Sequence, residues 1–378
     1  MPELAEVFQR FGYAYLDKYH ENMLASHKRA IIDILHCRTE ALGGEVMLCR
    51  HCGAKAYKYH SCKNRSCPKC QNDQTDQWLD KQRACLLPTA YFMATFTLPG
   101  LLRTLTRSQQ ETLYGILFTA SQQALRKLAK DPKYIGGEIG MLGVLQTWRR
   151  DLGYHPHIHY IIPGGGLAPD GVTWRPARHD YLMPEKALAI IFRAKFRDLL
   201  MKTNFYDQVS PSVWKQSWCV DIEPVGDGQS VLKYLAPYIY RVAISNKNIL
   251  NVTDTHVTFR YHESKNKGGA VRTKTLPAEN FMQQFLQHVL PKGFRKVRTY
   301  GLWHHKKRDQ LELIKEQLQP EPIQTIAPDG QPKTQEVTPP AKRPFKCKDC
   351  GQAMIVLDTI QRRGPPLLLW AYSQTQTS

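Results

Sequence analysis

Three histidines alternate along one short run, Tyr154-His155-Pro156-His157-Ile158-His159-Tyr160-Ile161-Ile162-Pro163, ahead of Gly164-Gly165-Gly166. Alternation that gives way to a β-branched apolar run marks a strand sending every second side chain to one face, so His155, His157 and His159 are expected to point the same way. Imidazoles on one strand face can clamp a divalent cation, because the strand brings their nitrogens together without a flexible loop. A lone histidine there would read as an ordinary surface residue; three in five positions read as a metal clamp.

Cysteine supplies further ligands. Ten are present, and eight fall into two groups: Cys37, Cys49, Cys52, Cys62, Cys67 and Cys70 near the front, and Cys347 with Cys350 near the back. Cys49-x-x-Cys52 and Cys67-x-x-Cys70 together offer four thiolates, the ligand set of a closed tetrahedral zinc site. Cys62, Cys37 or His60 could replace one of these or serve a second metal. Cys347-x-x-Cys350-Gly351 is half a site, readable as a relic, as a pair shared across a dimer, or as a pair completed by His304 and His305. Cys85 and Cys219 stand alone in apolar surroundings and read as buried thiols.

A different chemistry lies in Ser230-Val231-Leu232-Lys233-Tyr234-Leu235-Ala236-Pro237-Tyr238-Ile239-Tyr240-Arg241. Tyr234 and Tyr238 are four apart and share one face of a helix, from which Tyr240 departs. An isolated tyrosine pair of this kind reads as amphipathic core. Beside a metal clamp in a basic chain it reads as a pair of nucleophiles. A phenolate attacking a phosphodiester leaves an aryl phosphoester, which a 3′-hydroxyl can re-attack because phenol leaves more readily than an alcohol. With an ordinary pKa of about 10, the phenol needs help from a metal or a basic neighbour. Pro237, between the two, would remove a helical hydrogen bond and kink the segment.

Charge agrees with that substrate. Lys and Arg outnumber Asp and Glu by 52 to 33 over 378 residues, a net charge of +19 that attracts polyanions. No run of about 18 apolar residues appears, and the N-terminus lacks a basic-then-apolar signal, so a soluble intracellular protein with no membrane partner is expected. In a reducing compartment clustered cysteines hold metal in preference to forming disulfides.

These groups require a frame. Helical spacing runs through residues 3–36, which are expected to pack on the zinc knuckle; a strand covers Ala90–Leu98 and a helix Gln109–Lys130. A strand at Met141–Trp148 joins the histidine strand by a short turn, followed by a helix around Pro184–Lys202 and a strand near Ser217–Pro224. A helix begins at Gly228, and a hairpin lies between Leu250 and Leu276. The fold class is α+β, a mostly antiparallel sheet flanked by helices. The chain divides into a helical, zinc-binding region at 1–86, a catalytic region at 87–301, and a linker with a C-terminal tail at 302–378. From about Gln319 to Pro344 the composition is rich in Pro, Gln and Thr, that of a flexible linker.

Taken in order, the motifs resemble the rolling-circle transposases of the insertion sequence 91 family, within the HUH endonuclease superfamily. Cys37-Arg38-Thr39, Leu42-Gly43-Gly44, Ser61-Cys62-Lys63-Asn64-Arg65 and Cys67-Pro68-Lys69-Cys70-Gln71 match its zinc-binding region. Phe96-Thr97-Leu98-Pro99, His155-Pro156-His157-Ile158-His159, Pro163-Gly164-Gly165-Gly166, Tyr234-Leu235, Tyr238 and Arg241-Val242-Ala243-Ile244-Ser245-Asn246 match its catalytic region. The match continues to about Gly301 and covers roughly residues 30–301; Pro237 stands where the family commonly has a polar or basic residue.

The resemblance implies that His157 and His159 ligate Mg²⁺ or Mn²⁺, where imidazoles alone would equally suit zinc. Gln146, on the neighbouring strand, would be the third ligand, with His155 in reserve. Tyr238 would be the principal nucleophile and Tyr234 the second, in a DNA transposase that nicks one strand, forms a 5′-phosphotyrosine and releases a 3′-hydroxyl for host replication machinery. Structural Zn²⁺ would sit in the N-terminal region. Arg241, Lys247, Lys63 and Arg65 are expected to contact DNA, single-stranded or hairpin element ends, in the bacterial cytoplasm at the nucleoid; Trp148, more readily a core residue, could stack on bases. A plasmid rolling-circle replication initiator or relaxase would use the same chemistry, and a non-enzymatic zinc-finger regulator would bind DNA without it.

Overall fold

The computed structural model describes residues 2–70, 78, 82–178, 180–230, 232, 243–263, 268–319 and 345–363. Two helices open the chain, α1 (Leu4–Tyr19) and α2 (Ala25–Leu35). A hairpin follows, β1 (Gly44–Leu48) and β2 (Lys55–Tyr59), and then β3 (Ala90–Thr97), α3 (Arg103–Ser108) and α4 (Gln110–Ala129). Next come β4 (Met141–Trp148), β5 (Tyr154–Pro163), the short pair β6 (Gly165–Leu167) and β7 (Trp174–Pro176), α5 (Glu185–Leu200) and β8 (Cys219–Asp227). The chain continues through β9 (Ile249–Val252), β10 (His256–His262), β11 (Val271–Pro277), α6 (Ala278–Leu286), β12 (Val297–Tyr300), α7 (Arg308–Leu318) and β13 (Ile355–Ile360).

Five of these strands form the central sheet in the order β12-β4-β5-β3-β8, each neighbouring pair antiparallel. The α+β expectation therefore holds. One face of the sheet is apolar and covered by α4 and α5. Phe92, Ala94, Phe96, Leu145, Ile158, Tyr160 and Ile162 project into it between strand neighbours, as period-2 alternation requires. Phe96, Phe192, Phe196 and Trp218 meet there edge to face, with ring centroids 5.0–5.2 Å apart for three of the pairs, a geometry that adds to burial. Gly143 makes room for the Tyr160 ring, which crosses β4 at that residue: a Cβ there would lie 2.5 Å from it.

The opposite face carries Tyr91, Leu142, Val144, Ile161 and Leu232 in a smaller apolar cluster. Beyond that cluster, on the same face and alternation, come Gln146, His157 and His159. Gln146 pairs with His157, and His159 pairs with Thr95 on β3, so the clamp sits on adjacent central strands, where backbone freedom is least.

The N-terminal helices do not stand apart. Leu4, Val7 and Phe8 on α1 recur at helical spacing and share a core with Cys37, Cys67 and Cys70, as expected, and also with Phe259, Phe281 and Phe285 of β10 and α6. Phe8 meets Phe285 edge to face at 5.4 Å. The tail assigned to 302–378 is likewise tied back to the front of the chain: β13 pairs antiparallel with β1, in a sheet ordered β13-β1-β2. The linker between them, 320–344, lies outside the described residues.

Candidate active site and cysteine centres

Three polar atoms converge on the face of the sheet opposite the one covered by α4 and α5. His157 Nε2 and His159 Nε2 each lie 3.1 Å from Gln146 Oε1. The tautomer of His157 follows from its other nitrogen, 2.6 Å from the His155 carbonyl. A carbonyl only accepts, so Nδ1 carries the proton and Nε2 a lone pair. Burial holds His157 neutral, well below the usual imidazole range at about 4, and His159 at about 3, where the nearness of His157 adds to burial. Nε2 of His157 and the amide oxygen of Gln146 are therefore two acceptors aimed at one another, an arrangement satisfied by a cation between them. The residues fit a divalent metal: two neutral imidazoles and an amide oxygen, held by strands, with the His159 Nδ1 2.9 Å from the Thr95 hydroxyl that orients the ring.

His155 shares the face but not the focus. Its Nδ1 lies 3.0 Å from the Arg103 guanidinium, which only donates, so that nitrogen's lone pair is already used. Burial, then the nearby His157, Arg103 and Arg149, hold its pKa down at about 4. Arg103 and Arg149 are thus cations beside His155, Arg149 also pairing with Asp151 at 3.2 Å. Sequence reasoning passed over them, as it did Thr95, because an isolated arginine in a loop or helix start carries no periodic signal. It also passed over Asp221, cross-strand to Thr95 on β8, whose carboxyl is pushed up by burial and by Glu223 and Glu185; the alternation Asp221-x-Glu223 was the available clue.

Tyr234, Tyr238, Tyr240, Pro237 and Arg241 lie outside the described residues. The start of their segment is described. Gly228–Ser230 are helical, and Asp227 Oδ1 accepts the Ser230 N–H at 2.7 Å, an N-cap that starts the helix at the residue expected from sequence. Leu232 is buried against Tyr91, Leu142, Val144 and Ile161, on the sheet face that carries the clamp.

The cysteines form two centres, and the grouping expected from sequence is corrected. Cys49 and Cys52 do not meet Cys67 and Cys70. Instead Cys37, Cys62, Cys67 and Cys70 converge in one group, and Cys49, Cys52, Cys347 and Cys350 in another, each with sulfurs within 4.8 Å of one another. Sulfur–sulfur distances of 3.4 Å for Cys37–Cys70 and 3.5 Å for Cys62–Cys70 are far longer than a disulfide and match thiolates around one ion. His60, His304 and His305 belong to neither group. Spacing misled because Cys-x-x-Cys marks a knuckle without marking its partner. Cys219 is exposed and Cys85 half-buried, so neither is the fully buried thiol expected.

Of the residues expected on DNA, Lys63 and Lys247 are exposed. Arg65 is not available: its guanidinium donates to the carbonyls of Phe294 at 2.6 Å, Leu290 at 3.2 Å and Pro291. Trp148 is buried beside His288, with Lys296 Nζ 5.6 Å from its ring centroid, and takes the core role rather than the stacking one. Among the described residues no helix is long and apolar enough to cross a membrane.

Against known proteins, a family model described as "Putative transposase" matches residues 140–310, which include the clamp, and one described as "Transposase zinc-binding domain" matches residues 7–98. The chain is 34% identical over 391 residues to "Putative transposase y4qJ" of Sinorhizobium fredii (strain NBRC 101917 / NGR234), covering 97% of each chain. It is 25% identical over 354 residues to "Transposase for insertion sequence element IS801" of Pseudomonas savastanoi pv. phaseolicola, covering 86% of this chain and 82% of that one. No solved structure matches it.

Proposed function

The chain belongs to the insertion sequence 91 family of transposases, and from that premise we propose that it cuts and transfers one DNA strand of its element by tyrosine attack at the His157–His159–Gln146 clamp. The observation that carries this reading is the convergence of His157 Nε2, His159 Nε2 and Gln146 Oε1 on the sheet face against which Leu232, at the head of the tyrosine segment, is packed.

The phenol oxygen of Tyr238 attacks the phosphorus of a single-stranded element end. The P–O bond to the tyrosine forms as the P–O bond to the 3′ oxygen breaks; the phenol proton passes to solvent or a neighbouring base, and the departing 3′ oxygen takes one up. The products are a 5′-phosphotyrosine and a free 3′-hydroxyl, which host replication machinery can extend. The reverse attack, by a 3′-hydroxyl on the phosphotyrosine, restores the phenol and joins the strand elsewhere, with Tyr234 available for a second cleavage. When bound at the clamp, Mg²⁺ or Mn²⁺ would polarise the phosphate and balance charge developing on its oxygens. His157 and Gln146 bring fixed lone pairs to that position, Thr95 orients His159, and Arg103 and Arg149 neutralise the approaching phosphate. Cys37, Cys62, Cys67 and Cys70 hold the structural zinc of the N-terminal domain, and the work takes place in the bacterial cytoplasm, at the nucleoid. Family membership favours this reading over a plasmid replication initiator or a non-enzymatic regulator.

The test incubates the protein with single-stranded oligonucleotides from the element ends, with and without Mg²⁺, and assays a denaturant-resistant protein–DNA adduct. Adduct is expected only with metal, and it should vanish in a Tyr234→Phe, Tyr238→Phe protein. His157→Ala should lower nicking at least about 100-fold and leave DNA binding intact. An adduct that survives loss of both tyrosines removes the assigned nucleophiles; metal-dependent nicking retained by His157→Ala removes that ligand.

A further inference from the structure

The cysteine group built from Cys49, Cys52, Cys347 and Cys350 draws its halves from opposite ends of the chain. Cys49 and Cys350 sulfurs are 3.5 Å apart, and those of Cys52 and Cys347 are 3.6 Å apart. Tetrahedral zinc with bonds of about 2.3 Å places its sulfurs about 3.8 Å apart, close to these distances.

The two halves are also copies of one another in backbone detail. In the first, the Cys49 N–H donates to the Ala54 carbonyl at 2.9 Å, and the Gly53 N–H donates back to the Cys49 carbonyl at 2.9 Å. In the second, the Cys347 N–H donates to the Gln352 carbonyl at 2.8 Å, and the Gly351 N–H to the Cys347 carbonyl at 3.0 Å. Gly53 and Gly351 both have φ +74°, and a Cβ on either would meet nothing within 4 Å, so glycine is required by the left-handed backbone and not by space. Leu48 pairs with Lys55 around the first knuckle as Lys346 pairs with Ala353 around the second. The side chains behind the sulfurs correspond too: Met47 with Phe345, two residues before the first cysteine, and Ala56 with Met354, four after the second. The strand pair β1–β13 joins the two hairpins edge to edge.

We propose that these four thiolates bind a second zinc ion, and that this zinc fastens the C-terminal hairpin to the N-terminal one. Neither hairpin buries enough to hold itself. Behind the sulfurs the interior is Met47, Met354 and a few half-buried neighbours, a core far too small to order two hairpins without a metal. The metal closes a loop of 295 residues between Cys52 and Cys347, and the whole catalytic sheet lies within that loop. The zinc-binding unit is therefore completed only by the last described segment of the chain, beyond both matched family regions.

Two measurements test this. Native mass spectrometry of the full chain should count two zinc ions, and the Cys347→Ser, Cys350→Ser variant should retain one, held by Cys37, Cys62, Cys67 and Cys70. One zinc in the unaltered chain, or two or none in the variant, overturns the proposal. In the second measurement all the cysteines remain. A protease site is placed within residues 320–344 and cut. The C-terminal fragment should stay bound while zinc is present and separate when a chelator removes it. Separation with zinc present, or retention after all zinc is stripped, counts against the clasp.

Discussion

At the scale of single residues, the same side-chain type plays opposite parts according to its surroundings. Arg65 and Lys63 lie two apart in a basic stretch, yet Arg65 is turned inward to three carbonyls near Phe294 while Lys63 is exposed. Replacing Arg65 by Met should therefore lower unfolding stability by about 2–3 kcal/mol, since those three carbonyls lose a charged donor. Its affinity for single-stranded DNA, measured by fluorescence anisotropy under folded conditions, should change little. His288 makes a second case. It is buried, its Nε2–H donating to the Leu152 carbonyl at 3.0 Å and its Nδ1 3.2 Å from the Thr147 hydroxyl, and burial holds its pKa at about 4. A depressed imidazole pKa means that the unfolded chain binds the proton first. Stability from this group is complete above about pH 6.5 and is lost as pH falls toward 4, on the order of 3 kcal/mol in all. Urea titrations at pH 7 and pH 4.5 should show the loss, and His288→Gln should show less of it.

Among the elements, β2 has the composition of a nucleic-acid strand. Tyr57 and Tyr59 alternate onto one face with rings 6.2 Å apart and 9° from parallel, and Lys55 is exposed on the same face, while Lys58 turns to the other and pairs with Glu45 at 2.9 Å. Parallel rings, Tyr57 exposed and Tyr59 half-buried, offer unpaired bases a stacking surface, and Lys55 offers the backbone a counter-charge. Tyr57→Ala with Tyr59→Ala should weaken single-stranded DNA binding by about 10-fold or more while zinc content is unchanged; equal affinity would place the DNA elsewhere. The element scale is also where sequence reading did best. The strands at Ala90–Thr97 and Met141–Trp148 and the helices at Gln110–Ala129 and Glu185–Leu200 were legible because each is long and its apolar period is regular. The start of the tyrosine segment was expected at Gly228 too, where the structure supplies a cap from Asp227. β13 was not: Ile355–Ile360 is mostly exposed, and what makes it a strand is its pairing with β1, more than 300 residues away.

For the whole molecule, the net charge of +19 should make DNA binding steeply dependent on salt. If five phosphates are neutralised, affinity for single strands should fall about 50-fold between about 0.1 and 0.3 M salt, and a flat response would mean that the charge is spent elsewhere. The sequence by itself determined what is local or periodic: the α+β class, the histidine face, Gln146 opposite His157, and the Cys-x-x-Cys knuckles. Strand alternation and short hairpins leave little freedom over such distances, so spacing suffices. Only the tertiary structure decided which knuckle meets which, that His155 turns to Arg103, that Arg65 turns inward, and that the last described hairpin returns to the first. Those outcomes depend on long-range packing, in which residues hundreds of positions apart compete for one partner, and no local pattern records the winner.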